Sequence, residues 1–451
     1  MRNVTLITGL FMACLLPGMP EAQAESSLME AIGQGKVDLY VRYRYEFVSD
    51  EKIPKKEDAD AQTVRTALGY NTALFHGLGA YLQFEDVHAL VEHYEDGGTN
   101  GKTRFASVVD PEGTELQQAN LRYEGIADTV FRIGRQEIEH RQAPLQRYVS
   151  NLTARQNWQS FDAFRLTHGA IADQATGAPQ LMLDYAYVWK VHRTFGEANP
   201  VPDKANFHMA SHLLRVEYKG LKFATLEGYN YFLDFDNKTK APGTLVYETN
   251  TTGVRVEGNY GFDKARKLVY AAEYANQKSI SDNPVDLNVN YYLGEVGASA
   301  TIGSEWLDSI TLKLTYEVLG GDGKVNVGAV SVPRAFQTPL ATAHPFQGWA
   351  DRFVITPGDG VKDAFVTLRA GGLLGNTFVL MYHQFDADNL GYRYGTEWDA
   401  LLERPFGKNL LGGIKYAAYQ ASADALNTGR NSTSGQAFDL DKFWIYVQFK
   451  L

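Results

Sequence analysis

The sequence predicts an all-β protein: a transmembrane antiparallel up-and-down β-barrel of about 18 strands. Three observations predict it. Apolar and polar residues alternate with a period of two over long segments, long and short connections alternate between those segments, and the chain opens with an export signal.

The export signal comes first. Arg2 is the positive start, Val4 to Leu16 is a short apolar run, and Ala22-Gln23-Ala24 is a small-residue cleavage site. Residues 1–24 therefore read as a signal peptide and 25–451 as the mature barrel, with a short lead at 25–35. The run falls short of the roughly 20 apolar residues that a spanning helix needs. Cys14, the single cysteine, is a poor lipidation candidate because Phe11-Met12-Ala13 precedes it and a clean cleavage site follows. The mature chain then lacks thiols, and a closed barrel needs no disulfides because its ladder hydrogen bonds run all the way round.

Composition agrees. The net charge is −10 and the signal removes one charge of each sign, Arg2 and Glu21. Hydrophobic residues make up only 44%, alongside 26 Tyr and 42 Gly. That suits strands that show lipid only every second residue, and no segment after 24 is apolar enough for a spanning helix.

The clearest strand is Lys36 to Phe47. Val37, Leu39, Val41, Tyr43, Tyr45 and Phe47 share one face, while Lys36, Asp38, Arg42, Arg44 and Glu46 share the other. Leu181–Val191 and Ile310–Val318 repeat the pattern. Soluble strands average about 5–6 residues, whereas membrane strands need about 9–11, and these are the longer kind. Further segments centre near Leu68, Leu82, Leu121, Ile133, Leu166, Val216, Tyr229, Val254, Tyr270, Val296, Leu368, Leu380, Trp398 and Tyr416. The last is Phe443 to Leu451, a terminal strand of the kind that barrel-assembly machinery reads, with Leu451 in place of the usual aromatic.

Short connections fall near Gly77, Gly125, Gly220, Gly261, Gly303, Gly375 and Gly407. Long ones cover 49–61, 88–114, 138–160, 193–207, 235–246, 278–289, 320–360 and 421–438, with a short exception near Asp388. Short periplasmic turns and long outer loops give this sorting, so both termini are expected in the periplasm of a bacterial outer-membrane protein.

Two stretches carry a resemblance. One runs Phe131-Arg132-Ile133-Gly134-Arg135-Gln136-Glu137 and continues at Arg155-Gln156-Asn157-Trp158-Gln159-Ser160-Phe161-Asp162-Ala163-Phe164-Arg165-Leu166. The other is Phe336-Gln337-Thr338-Pro339-Leu340-Ala341-Thr342, followed by Gly348-Trp349-Ala350-Asp351-Arg352-Phe353. Together they resemble the alginate-export family of outer-membrane porins. The resemblance implies an 18-stranded barrel with a cation-lined pore that passes a uronate polymer.

Inward parity nominates Arg42, Arg44, Arg65, Arg122, Arg132, Arg165, Asp184, Lys190, Arg215, Arg255 and Arg369 as pore-lining residues. Many inward acids accompany them, so structural ion pairs between neighbouring strands are the competing explanation. Arginine dominates the first strands, and a planar guanidinium grips a carboxylate at two points. Asp162 breaks the parity: with Phe164 and Leu166 facing lipid it would face outward too, unless the strand starts after it or a bulge intervenes.

The connection 320–360 is the longest. It holds Phe336, Leu340, Phe346, Trp349, Phe353 and Ile355, with prolines at 333, 339, 345 and 357. Aromatics spaced by prolines are not expected to pair as a strand, and they need a surface to pack on. The segment is therefore expected to fold inward and narrow the pore, with Arg334, Asp351 and Arg352 facing the path. The alternative is packing against other outer loops.

Cofactors are not expected. Asp234, Asp236 and Asn237, and again Asp386, Asp388 and Asn389, could offer oxygen ligands to calcium, though such runs are usually solvated loop tips. The ten histidines lack metal-ligand spacing, and there is no Gly-x-Ser-x-Gly motif and no phosphate loop. The expected function is passive translocation of an anionic polysaccharide. The alternatives are a porin for small organic acids or oligosaccharides and, more remotely, a barrel enzyme. The expected partners are outer-membrane lipid, the assembly machinery and the anionic solute, with no nucleic acid.

Overall fold

A computed structural model describes residues 27–52, 54–141, 146–173, 176–235, 247–280, 283–327, 330–341, 344, 346–424 and 435–451. The signal segment lies outside the described residues, as do Asp236 and Asn237.

The strands follow in chain order. The first nine are β1 (Lys36–Asp50), β2 (Ala59–Asn71), β3 (Leu78–His93), β4 (Gly113–Ile126), β5 (Thr129–Gln136), β6 (Ser160–Ala172), β7 (Pro179–His192), β8 (Asn206–Tyr218) and β9 (Ala224–Leu233). Then come β10 (Thr249–Gly261), β11 (Arg266–Ser279), β12 (Asn288–Ser304), β13 (Leu307–Leu319), and the pair β14 (Gly321–Val327) and β15 (Val330–Ala335). The last five are β16 (Val361–Leu373), β17 (Asn376–Asp386), β18 (Arg393–Phe406), β19 (Leu410–Ala421) and β20 (Leu440–Lys450). Among the described residues, eighteen of them form one sheet in which each strand pairs antiparallel with the next. β20 returns to β1 in the register Phe443↔Phe47, which closes the ring. Closure satisfies the backbone polar groups at both edges, as a hydrocarbon environment demands.

Faces follow the period of two. Along β1, Arg42, Arg44 and Glu46 are buried, while the residues between them stay half-exposed. Leu121 is 59% and Ile133 52% exposed, and Leu68, Val254, Leu314 and Trp398 on other strands are likewise exposed. Water would disfavour so much exposed apolar area, so this is the lipid belt. Among the described residues the α-helices are short, α1 (Leu28–Gly33) and α2 (Pro202–Ala205), and none is long and apolar enough to cross a membrane.

Both ends of the barrel, Lys36 and Lys450, sit at the rim of short turns such as 127–128, 305–306 and 374–375. The opposite rim carries the long connections. The described parts of two of these, 137–141 with 146–159 and 336–341 with 344 and 346–360, turn into the lumen. Tyr148, Phe336, Leu340, Trp349 and Phe353 join one buried apolar cluster with inward strand residues from around the ring, among them Phe161, Tyr229, Tyr291, Phe385 and Trp444. Burial of each large side chain stabilises by about 1.5–3 kcal/mol. The core of this protein is thus the long-loop half of its own lumen.

Three local expectations need correction. Asp162 stays on the outward side, in register with Arg135, which binds it at 3.0 Å, and His192 binds it from β7, also at 3.0 Å. The irregularity lies on β7 instead, where Trp189 is the extra residue opposite the Asp162–Ala163 step. That bulge reverses the parity of Lys190. Val191 is buried in the lumen cluster, and Lys190 sits opposite Asp162 and His208 on the outward side, so it does not line the pore. Finally, part of the 320–360 connection does pair as strands, in the hairpin β14–β15. Pro333 faces Lys324 where the register skips to Gly321↔Ala335, so its missing N–H falls where the ladder is already irregular.

Candidate functional site

Arg42 and Arg65 are direct cross-strand neighbours on β1 and β2. Like charges so placed destabilise a sheet unless something answers them. Here the inserted loop 137–159 answers. Arg42 donates to Gln156 Oε1 at 2.8 Å, to the Thr153 carbonyl at 2.8 Å and to the Arg155 carbonyl. Arg44 donates to the Ala154 carbonyl and pairs with Asp110 and with Glu46 at 3.0 Å. Arg65 binds Glu85 at 2.7 Å and lies 3.7 Å from the Trp158 ring centre. All three point inward, yet all are buried under the loop rather than open to a passage.

The same loop carries arginines that parity could not nominate. Arg141 bridges Glu227 at 2.6 Å and Glu273 at 2.8 Å, and Arg147 meets Glu317 and Gln347. Arg155 joins Glu46 at 3.4 Å to Asp351 at 3.1 Å. The loop is therefore bound to both walls of the barrel and to the second inserted segment.

That second segment seats its tip on β18. Gly348, in the left-handed region at φ +77°, lies over the Glu397 carboxylate, where an added Cβ would come within 2.4 Å. The Ala350 N–H then donates to Glu397 Oε1 at 2.7 Å and the Trp349 N–H to Asp399 Oδ2 at 3.2 Å. Phe336 packs on Tyr291 at 5.5 Å, and Phe353 on Phe385 at 4.6 Å.

The three charged residues expected along a path part company here. Arg334 lies on β15, paired with Asp322 at 2.7 Å, away from the lumen tip. Arg352 turns to the wall, toward Asp50 at 2.8 Å and the Phe438 and Asp439 carbonyls. Asp351 alone sits in a cationic cluster at the tip. Burial pushes the His344 imidazole down to about 4 even beside Asp351. Burial opposes the Asp351 carboxylate too, but His344, Lys442 and Arg155 hold it well below the ordinary range.

The short-turn half differs. Arg122, Arg132 and Arg165 stand in one register row across β4, β5 and β6, with direct neighbours about 4.5–5.5 Å apart. Arg165 is paired with Asp184 at 2.5 Å, and Arg122 with Glu124 at 2.8 Å and the Thr72 carbonyl at 3.0 Å. Arg132, between them, has no ion pair among the described residues, and its buried Nε has no acceptor. Arg122 and Arg132 border a cavity of about 340 Å³ that Lys36, Asp38, Asn71, Tyr81, Gln118 and Asn120 complete. Arg369 is exposed on β16, half-way round the ring from β5, and it too lacks an ion pair among the described residues. Arg215 is consumed by Glu217 and Glu227, and Arg255 by Glu257 and Glu273.

Of the oxygen runs considered for calcium, Asp386 is held by Arg393 at 3.2 Å and Asp388 by Lys362 at 3.2 Å. Among the described residues no three metal-ligating side chains are grouped to hold an ion.

The fold has solved counterparts. OccK9 (OpdG) of Pseudomonas aeruginosa superposes with a TM-score of 0.65 at 13% identity, over 93% of this chain and 100% of that one. OccAB4 of Acinetobacter baumannii gives 0.63 at 14% identity, over 92% and 98%. OpdK of Pseudomonas aeruginosa, solved with vanillate, gives 0.63 at 13%, over 93% and 99%. No curated protein matches the sequence. Residues 34–286 match the family described as alginate export. That is more than half of the chain, and the protein belongs to the alginate-export family of bacterial outer-membrane β-barrels.

Proposed function

We propose that this outer-membrane channel passes carboxylate-bearing solutes passively, handing them along arginines of the short-turn half. One observation carries the reading: among the described residues, Arg132 stands without an ion-pair partner between two arginines that have theirs. A row of like charges on neighbouring strands is costly, and a carboxylate passing between the guanidinium groups would relieve it. Two-point contacts to several arginines, none holding tightly, suit conduction. Arg369 on the far wall extends the same chemistry across the lumen. No bond-making step belongs to this function.

The family match favours an acidic polysaccharide threaded as a chain. A second reading, a small organic acid, is favoured by the two loops that fill the long-loop half and by the aromatic carboxylate bound to OpdK, whose fold is similar. In either case the short-turn rim and both termini face the periplasm, and the β20 end is the segment offered to the assembly machinery.

Planar-bilayer recording in a potassium chloride gradient tests the proposal. The native channel is expected to prefer anions, and Arg132→Glu to shift the zero-current potential toward cations. Unchanged selectivity in a folded barrel counts against it. Block of the current by an oligo-uronate but not by a mono-uronate selects the polymer reading, and the reverse selects the small acid.

A further inference from the structure

Asp351 occupies a cation site to which three other parts of the molecule contribute. Its Oδ2 lies 2.7 Å from Lys442 Nζ on β20 and 3.1 Å from Arg155 Nη2 in loop 137–159. Its Oδ1 is 2.9 Å from His344 Nδ1, and His344 Nε2 touches Lys415 Nζ on β19. Arg155 has a second carboxylate, Glu46, at 3.4 Å. For Lys442, Asp351 is the ion-pair partner found among the described residues. Lys415 meets no carboxylate among them; its ammonium lies 3.9 Å from the centre of the Trp349 ring and 5.2 Å from that of Trp444. Among the described residues, Arg155, Lys442 and Lys415 have two carboxylates within 4 Å, Asp351 from the loop and Glu46 from the wall, with Asp399 of β18 the next acid acting on Lys415.

The delivery is strained. Gln347, Gly348 and Asp351 all have positive φ, at 51°, 77° and 64°, three left-handed residues in five. Non-glycine residues rarely adopt that region unless the surroundings enforce it. The site also reaches water, since the side chains of Arg155 and His344 are 16% and 17% exposed.

We propose that Asp351 is a tethered stand-in for the carboxylate of the transported solute: it fills an anion site made by Arg155, Lys415, Lys442 and His344, and a solute carboxylate displaces it, so that the tip of the 336–353 segment lifts and the lumen opens. The idea rests on the carboxylate-channel reading above. The exchange is chemically even, because the cations trade one carboxylate for another and are never left bare in a poorly hydrated place. The tether gives Asp351 a high local concentration, so it masks the site from weak anions.

The test uses the full-length barrel in bilayers with sodium glucuronate as probe, replaced by an oligo-uronate if only the polymer acts on the native channel. Asp351→Asn keeps the side-chain shape and removes the competing charge. The glucuronate concentration that gives half of its effect on the current is expected to fall about tenfold or more, since the competent state no longer waits on release of the tip. Adding Lys442→Gln to that variant should reverse the gain. An unchanged half-effective concentration in Asp351→Asn overturns the inference. Should that variant not fold, the native chain decides: glucuronate at a saturating concentration should change the emission of Trp349, identified by difference from Trp349→Phe, and no change overturns the inference. The two proposals fail separately. A native channel without anion preference sinks the carboxylate reading, whereas an anion-selective channel indifferent to Asp351→Asn sinks this one alone.

Discussion

The two arginine rows of the lumen begin alike and end differently. Arg42–Arg65 on β1–β2 and Arg122–Arg132–Arg165 on β4–β6 are both inward, both in register, and both place like charges side by side. The first row is answered by a loop that brings carbonyls, an amide and a tryptophan ring to it. Among the described residues, the second is answered by ion pairs at its two ends only. A guanidinium in a barrel lumen is thus structural or available according to what reaches it from outside its own strand, and strand position alone does not decide.

The comparison breaks most sharply in stability. Arg65→Ala leaves Glu85 buried without its partner, and losing one member of such a pair costs about 3–5 kcal/mol. Arg132→Gln removes no pair and is expected to leave the unfolding midpoint in detergent near the native value. Equal losses for the two variants would erase the distinction between the rows.

Conductance sharpens it next. Deleting 333–353 removes the segment that packs Phe336, Trp349 and Phe353 into the long-loop half, and single-channel conductance should rise several-fold, about as far as the remaining loop allows. No change in a properly folded barrel would mean that this half is not the constriction. Selectivity follows: Arg132→Glu should move the zero-current potential, while Arg42→Gln, hidden under loop 137–159, should not.

The strand count, the faces and the closing strand were all legible because a period of two is local information, written in consecutive residues such as Val37 to Phe47. What sequence could not supply is non-local. The insertion of 137–159 depends on Gln156 reaching Arg42 and Thr63 across the lumen, a contact between residues far apart in the chain. The composition of the loop, with Arg141, Arg147, Arg155, Tyr148 and Trp158, was the available signal, being too ionic and aromatic for a segment left in water. Lys190 was misplaced by one extra residue, Trp189, since a bulge reverses every parity beyond it. Arg334 was misplaced because the hairpin β14–β15 carries it away from the tip that Phe336 and Trp349 anchor.

The smallest expected effect is a pH dependence confined to the long-loop half. Burial lowers His344 to about 4 in the folded tip, against an ordinary value of 6.5, with Lys415 and Arg155 adding to the shift and Asp351 opposing it. Over that interval the released tip binds a proton that the seated tip does not, so seating weakens as pH falls from about 6.5 to about 4 and then levels off. Asp351 works in a lower window. Its carboxyl is held well below 3.8, so the stability it lends survives the fall to pH 4 and is lost only in stronger acid. Gating events should therefore become more frequent between pH 6.5 and 4 in the native channel. His344→Gln, which cannot titrate, should show a flat response over the same range. Arg132 lies outside this network, so its contribution to selectivity should not change with the tip. A native channel whose gating is constant from pH 7 to 4 would show that His344 does not couple to the seat of the loop, and would separate the strained tip from any role in opening.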